Sequence, residues 1–219
     1  MDEKPEGAIL QRDKKTYAIV PRIPVGILTP DILEKMAQVA RKYKVPAIKI
    51  TSGQRIAFVG MQPEDVLNAW KDLDMQIGPA VGMCVHYVQA CPGNTFCKFG
   101  QGDSLGLAVK IEEMYVGKSE QMPGKTKISV SGCKLNCAES YLRDLGAFAS
   151  PKGWCIVVGG NSGGRPRIGD VIAEDLPDDK ALELVQKCLD HYSKNANPKE
   201  RMPRFIQRTG IEEFKKAVL

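Results

Sequence analysis

The 219-residue chain predicts an α+β fold built from two successive units. Three observations carry that expectation. Strand-like and helix-like segments alternate in the first third; a stretch rich in glycine and proline, "DMQIGPAVG", then interrupts both periodicities; and beyond it strands run into pairs of cysteines. With 43% apolar residues the chain can bury one substantial core or two small ones.

The elements follow in order. "TYAIVP", Thr16 to Pro21, reads as a short strand. "TPDILEKMAQVARKY" then offers Thr29 as N-cap, Pro30 at the first helical position and Asp31 in the first turn, with Ile32, Met36, Val39, Ala40 and Tyr43 on one face. Two strands, Ala47 to Thr51 and Arg55 to Gly60, are joined by Ser52, Gly53 and Gln54 as a hairpin, and a helix from Pro63 to about Leu73 turns Val66, Leu67 and Trp70 inward. Strand, helix, two strands, helix is roughly half of a ferredoxin-like sandwich. A boundary near residue 78 separates this half domain, 1–78, from a mixed α/β unit over 79–200 and a helical tail over 201–219 broken at Gly210. The second unit reads as a strand around Val85 to Gln89, a helix capped by Asp103, the strand "TKISVS", a short helix "AESYLRD", the strands "LGAFAS" and "WCIVVGG", a glycine-rich loop "GGNSGGRPRIGD", and a helix from Asp178 to Ser193 carrying Leu182, Val185, Leu189 and Tyr192 on one face.

Composition excludes several classes. The opening "MDEKPEGAIL" looks like neither a signal peptide nor an anchor, and no later run approaches membrane-spanning length, so a cytoplasmic location is expected. A net charge of +5 without a long basic run points away from nucleic acid and leaves a small or polyanionic ligand open. Seven cysteines, an odd number, do not form a disulfide framework in a reducing compartment, so ligation becomes the leading use for the clustered ones.

Those are Cys91 and Cys97 in "ACPGNTFCKFG" and Cys133 and Cys137 in "VSGCKLNCAES". Each pair sits where a strand ends, beside glycines that let the loop bend around a bulky object. A spacing of five residues paired with one of three suits an iron-sulfur cluster better than a zinc knuckle, with zinc and unmetallated thiols as the competitors. Cys155 and Cys188 read as small buried hydrophobes, and Cys84 has no partner at a useful spacing.

The order C-x5-C, 35 residues, C-x3-C resembles the cluster motif of the sirohaem-dependent sulfite and nitrite reductases. "ACPGNTFCKFGQGDSLGLA", "KTKISVSGCKLNCAE", "KGWCIVVGGNSGGRPRIGD", "VPRIPVGILTPDIL" and "KITSGQRIAFVG" extend the similarity over roughly Tyr17 to Leu176. It is nearest to the small single-chain sulfite reductases and to the sirohaem domain of bacterial assimilatory nitrite reductases. The resemblance implies that Cys91, Cys97, Cys133 and Cys137 ligate a [4Fe-4S] cluster, that Cys137 also bridges to sirohaem iron, and that the reaction is six-electron reduction of sulfite to sulfide or nitrite to ammonia.

The resemblance further implies a pocket for the carboxylates of sirohaem. Its candidates are Arg22, Arg55, Gly160, Asn161, Ser162, Gly163, Arg165 and Arg167, because arginines and exposed amides offer several directed N–H groups. The loop from Gly159 is no dinucleotide fingerprint, so electrons are expected from a separate ferredoxin-like or flavin-containing donor. Arg22, Arg55, Lys125 and Lys127 are the candidates for the substrate face; the two lysines are two residues apart and so share a face if extended. Where larger members carry arginine in T-x-R-Q, "TSGQR" has Gly53, with Arg55 two positions later. Larger members also contain two copies of this unit and this chain one. Either it encloses its haem more openly, or a homodimer rebuilds the missing half and the lysines serve the partner's haem. Two rival readings are a non-catalytic iron-sulfur electron-transfer subunit of a larger reductase and a zinc-stabilised binding module.

Overall fold

The computed structural model describes residues 5–117 and 122–219. It divides into two compact units, at Val81/Gly82.

The first unit is a four-stranded antiparallel sheet in the order β1-β2-β4-β3, with β1 Ala8–Leu10, β2 Tyr17–Ile19, β3 Ala47–Ile50 and β4 Ile56–Met61. Helix α1, Pro30–Lys42, starts as its sequence dictates: Thr29 is extended, its hydroxyl accepts from the Ile32 N–H, and Pro30 fills the first turn. Met36, Val39 and Ala40 on α1 join Ile19, Phe58 and Met61 of the sheet and Val66, Ala69 and Leu73 of α2, Val66–Leu73, in one core. A short 3₁₀ turn over Pro63–Asp65 precedes α2. Leu67, expected to face inward, is 55% exposed, because Val66, Ala69 and Leu73 set the buried stripe one position away from it. The hairpin between β3 and β4 closes with Thr51 N–H donating to the Arg55 carbonyl, and Gln54 takes the left-handed conformation at its tip. Strand β3 lies at the sheet edge with all four residues exposed.

The second unit is a five-stranded sheet in the order β5-β6-β7-β8-β9. Its strands are β5 Val85–Ala90, β6 Thr126–Ser131, β7 Leu145–Ser150, β8 Gly153–Val158 and β9 Asp170–Leu176. The first three run parallel and the last two antiparallel. Parallel pairing needs long crossovers: α3, Gly93–Phe96, and α4, Ser104–Tyr115, connect β5 to β6. Asp103 caps α4 by accepting from the Gly106 N–H at 2.9 Å. Helix α4 packs on β5 and β6, and α5, Asp178–Asn195, on β8. The last helices, α6 Met202–Thr209 and α7 Ile211–Val218, break at Gly210 and bury Phe205, Ile206 and Phe214; α7 packs on α5, and residues 201–219 fall within the second unit.

Two strands escape the sequence reading. β1 is only three residues long, and β9 follows the glycine-rich loop directly with one buried residue, Ile172, so neither has a periodicity to recognise. The segment after Cys137 is a single 3₁₀ turn, Ser140–Leu142, where a short helix was expected.

Candidate active site

The two cysteine loops interlock through backbone. Cys91 follows β5 and Cys133 follows β6, and the parallel register places Ala90 beside Val130, so both loops leave the same end of the sheet. A side-chain carbon added at Gly132 would lie 2.5 Å from the Gly93 Cα. Only glycine permits that approach. It lets the Gly132 N–H donate to Cys91 Sγ at 3.0 Å, while the Gly132 carbonyl accepts from the N–H groups of Gln101 and Gly102 at 2.7 and 3.1 Å. The Ser104 hydroxyl donates to the Cys91 carbonyl at 2.7 Å and pins the first loop to the start of α4.

The second loop is shaped by side chains from both its ends. The Ser131 hydroxyl accepts from the Ala138 N–H at 3.1 Å and donates to Asn136 Oδ1 at 3.1 Å; Asn136 Oδ1 also accepts from the Ser140 N–H at 2.8 Å. Asn136 itself is left-handed, a conformation asparagine tolerates better than most residues. Along this frame Cys133 is buried, Cys91 and Cys97 are half-buried and Cys137 is exposed. An open cavity of about 670 Å³ borders Cys133, lined by Phe99, Gln101, Lys134, Leu135 and Pro151. Among the described residues no three His, Cys, Asp or Glu groups gather tightly enough to chelate a single ion. The interlocked loops of Cys91 and Cys133, with an N–H directed at Cys91 Sγ, carry thiols of the kind that would bind the irons of a cluster.

A polar network runs along β6 away from the cysteines. Lys127, Ser129 and Ser131 alternate onto one face, and the register sets Gln89 beside Ser129. Arg143 is 4% exposed; its Nη2 donates to Gln89 Oε1 at 3.0 Å and to Glu139 Oε2 at 2.7 Å, and its Nη1 to the Ser162 hydroxyl at 3.3 Å. The Arg143 Nε and the Ser129 hydroxyl are buried with no hydrogen-bond partner among the described residues. Orphaned donors at these positions suit an anionic ligand.

The lysine pair stands at the start of β6. Lys125 is exposed and precedes the strand; Lys127, half-buried, lies within it. Burial lowers the Lys127 pKa from the ordinary lysine value, the charges of Lys125, Arg201 and Arg143 add to that, and Asp144 opposes it. Lys127 therefore sits in a surplus of positive charge, as a small oxyanion requires.

The glycine-rich loop is a turn closed on itself. Asn161 and Arg167 exchange two backbone bonds of 2.9 Å, the Asn161 side chain accepts from the Gly163 N–H and donates to the Arg165 carbonyl, and Arg167 pairs with Asp170 at 2.5 Å. Gly160 has a packing reason of its own: an added side-chain carbon would meet the Tyr141 carbonyl oxygen at 2.2 Å. Ser162, Gly163 and Arg165 are exposed. A cavity of about 530 Å³ opens beside the loop, bordered by Asn161, Arg165, Arg167, Lys199, Arg201 and Arg204. Three of those cations, Lys199, Arg201 and Arg204, escape the sequence reading, as do Arg143 and Asp144. The only signal for Arg201 and Arg204 was a cluster of arginines in a segment read as a tail.

In the first unit the structure ties Arg22 and Arg55 to the segment after α2. Arg22 Nη1 donates to Gln76 Oε1 at 2.7 Å, and buried Arg55 donates from Nη1 to the Pro79 carbonyl at 2.9 Å.

Residues 81–219 match the family model of the nitrite and sulphite reductase 4Fe-4S domain, and residues 9–76 that of the nitrite/sulfite reductase ferredoxin-like half domain. The chain is 55% identical, over all of both chains, to the assimilatory-type sulfite reductase of Nitratidesulfovibrio vulgaris. It is 39% identical over 204 residues to the nitrite reductase [NAD(P)H] of Bacillus subtilis, covering 93% of this chain and 25% of that enzyme. Among solved structures, the NirA protein of Mycobacterium tuberculosis superposes with a TM-score of 0.77 at 20% identity over 92% of this chain and 39% of that one, a likeness of fold. The chain belongs to the nitrite and sulfite reductase 4Fe-4S family. It is a sulfite or nitrite reductase, and its cofactors are those of that class, a [4Fe-4S] cluster and sirohaem. No helix among the described residues is long and apolar enough to cross a membrane.

Proposed function

We propose that this chain reduces sulfite to sulfide, with Cys91, Cys97, Cys133 and Cys137 holding the cluster and Cys137, the exposed thiol, also reaching the haem iron. The observation that carries the ligand set is the Gly93–Gly132 contact, which brings the two cysteine loops together and directs an N–H at Cys91 Sγ. Sulfite is favoured over nitrite because the full-length relative is a sulfite reductase, whereas the nitrite reductase from Bacillus subtilis is matched over a quarter of its length.

When bound, the cofactor pair would supply the electrons for the six-electron reduction one at a time. The chain's residues supply the rest. Lys127 and Lys125 attract the anion and stabilise charge on it, with Arg22 and Arg55 as further candidates from the first unit. Asn161, Ser162, Arg165 and Arg167, with the backbone of Gly160 and Gly163, hold carboxylates of the macrocycle; Arg143 Nε and the Ser129 hydroxyl are two further donors suited to that task. Electrons come from a separate ferredoxin-like or flavin-containing donor in the cytoplasm. A homodimer is supported by the edge strand β3, whose Ile48 and Ile50 are 50% and 72% exposed beside unpaired strand-edge positions.

The test is an anaerobic optical spectrum of the purified holoprotein under reducing conditions, with sulfite and nitrite added separately. Isobacteriochlorin bands that shift with sulfite at lower concentration than with nitrite are expected. An iron-sulfur shoulder alone, in cells able to make sirohaem, contradicts the catalytic reading and favours an electron-transfer subunit. Sedimentation of the same sample at the mass of a single chain would refute the dimer.

A further inference from the structure

Arg201 lies between α5 and α6, where no motif marks it, and its guanidinium reaches three segments at once. Its Nε donates to the Lys125 carbonyl and to Asp144 Oδ1, both at 3.1 Å. Its Nη2 donates to Asp144 Oδ2 at 2.5 Å, and its Nη1 to Asn161 Oδ1 at 3.1 Å. The Lys127 N–H donates to the same Asp144 oxygen, Oδ2, at 2.9 Å. One buried carboxylate thus joins the β6 lysine strand to Arg201, and Arg201 joins both to the glycine-rich loop.

The place of Arg201 is set before it makes these bonds. The Lys199 N–H donates to the Pro123 carbonyl at 2.6 Å, the Tyr192 hydroxyl to the Glu200 carbonyl at 2.6 Å, and Arg208 holds the Glu200 carboxylate through two bonds of 2.8 Å. The Asp144 side chain is 0% exposed and that of Arg201 is 27% exposed. A carboxylate so buried demands a cation, and two candidates are at hand: Arg201, which offers a planar fork, and Lys127, whose backbone N–H already donates to the same carboxylate.

We propose that Arg201 is a positioning residue for Lys127: by occupying both oxygens of Asp144 it keeps that carboxylate from capturing the Lys127 ammonium, so the lysine charge stays available to an incoming oxyanion. Through Asn161 the same guanidinium holds the glycine-rich loop in place. The inference rests on the reading of Lys127 as an anion-binding residue. It goes beyond that reading by stating what keeps the lysine competent and by assigning a role to a buried acid in a site built for anions.

The experiment compares holoproteins of the wild type, Arg201→Gln, Asp144→Asn, the double variant and Lys127→Met in sulfite reduction with reduced viologen, each normalised to bound haem by its optical spectrum. Arg201→Gln leaves Asp144 bare, so KM for sulfite should rise on the order of tenfold with kcat changed less. Removing the carboxylate as well should return KM to within about threefold of wild type, a recovery seen only if the harm comes from Asp144 and not from lost bonds. Asp144→Asn alone should stay near wild type. A KM unchanged in Arg201→Gln, or still raised in the double variant, overturns the proposal. If Arg201→Gln yields no holoprotein, the double variant decides, because it has no uncompensated buried charge. A KM unchanged in Lys127→Met overturns the anion-binding reading and this inference with it, whereas a raised KM there beside an unchanged one in Arg201→Gln overturns the inference alone.

Discussion

The cysteine end and the basic end of the second unit are built by opposite means. At the cysteine end, backbone does the work: Gly93 and Gly132 touch, Gln101 and Gly102 donate to one carbonyl, and Ser131 and Asn136 hold the loop between them. At the basic end, the Arg201 side chain from the α5–α6 connection joins buried Asp144 to Asn161 of the glycine-rich loop, and Asp144 also accepts the Lys127 N–H of β6. A site made of backbone tolerates few side chains at its contact points. A site made of charges tolerates changes of shape but not of charge balance, because a buried carboxylate without its cation is strongly destabilising.

The first way to break this contrast is Gly132→Ala. Its added carbon meets backbone that cannot move aside, so the loops must part; a cost of about 1–3 kcal/mol and loss of cluster iron and labile sulfide are expected. Normal labile sulfide in that variant would show that the interlock is dispensable. At the basic end the two partners of one ion pair should differ. Arg201→Gln strands a fully buried charge and should cost about 3 kcal/mol, whereas Asp144→Asn leaves a partly exposed guanidinium and an isosteric amide and should cost about 1 kcal/mol. Urea unfolding of the holoproteins measures both, and equal costs would argue against buried charge as the controlling quantity.

A pH profile sharpens the same comparison. The Lys127 pKa lies below the ordinary lysine value because burial penalises the ammonium, so the charge is lost at a lower pH than on an ordinary lysine. KM for sulfite should therefore climb on an alkaline limb that begins earlier than an ordinary lysine would give, and the limb should disappear in Lys127→Met. At the small end, Lys216→Ala removes an exposed pair with Glu213 and should alter stability by less than about 0.5 kcal/mol. A larger loss there would mean that surface charge, and not burial, governs this chain.

Legibility in the sequence follows the same division. Caps and hairpins are local, so Thr29, Asp103 and the Ser52–Gln54 turn can be read directly, and so can four cysteines beside glycines. The half domain follows from the order of its elements. β1 and β9 do not follow, since a three-residue strand and an edge strand with a single buried residue carry almost no periodicity. Asp144 and Arg201 are separated by 57 positions, and nothing near either one announces the other. Leu67 teaches a smaller lesson: in a helix of two turns, a buried stripe can shift by one residue at little expense in pattern.

The most direct test of the central claim is iron and acid-labile sulfide per chain in anaerobically purified wild type and in the Cys91→Ser, Cys97→Ser, Cys133→Ser and Cys137→Ser variants. The account predicts labile sulfide in the wild type and its loss on removing any of the four thiols. Zinc in place of iron, or a cysteine of the four whose removal leaves the sulfide unchanged, would contradict it.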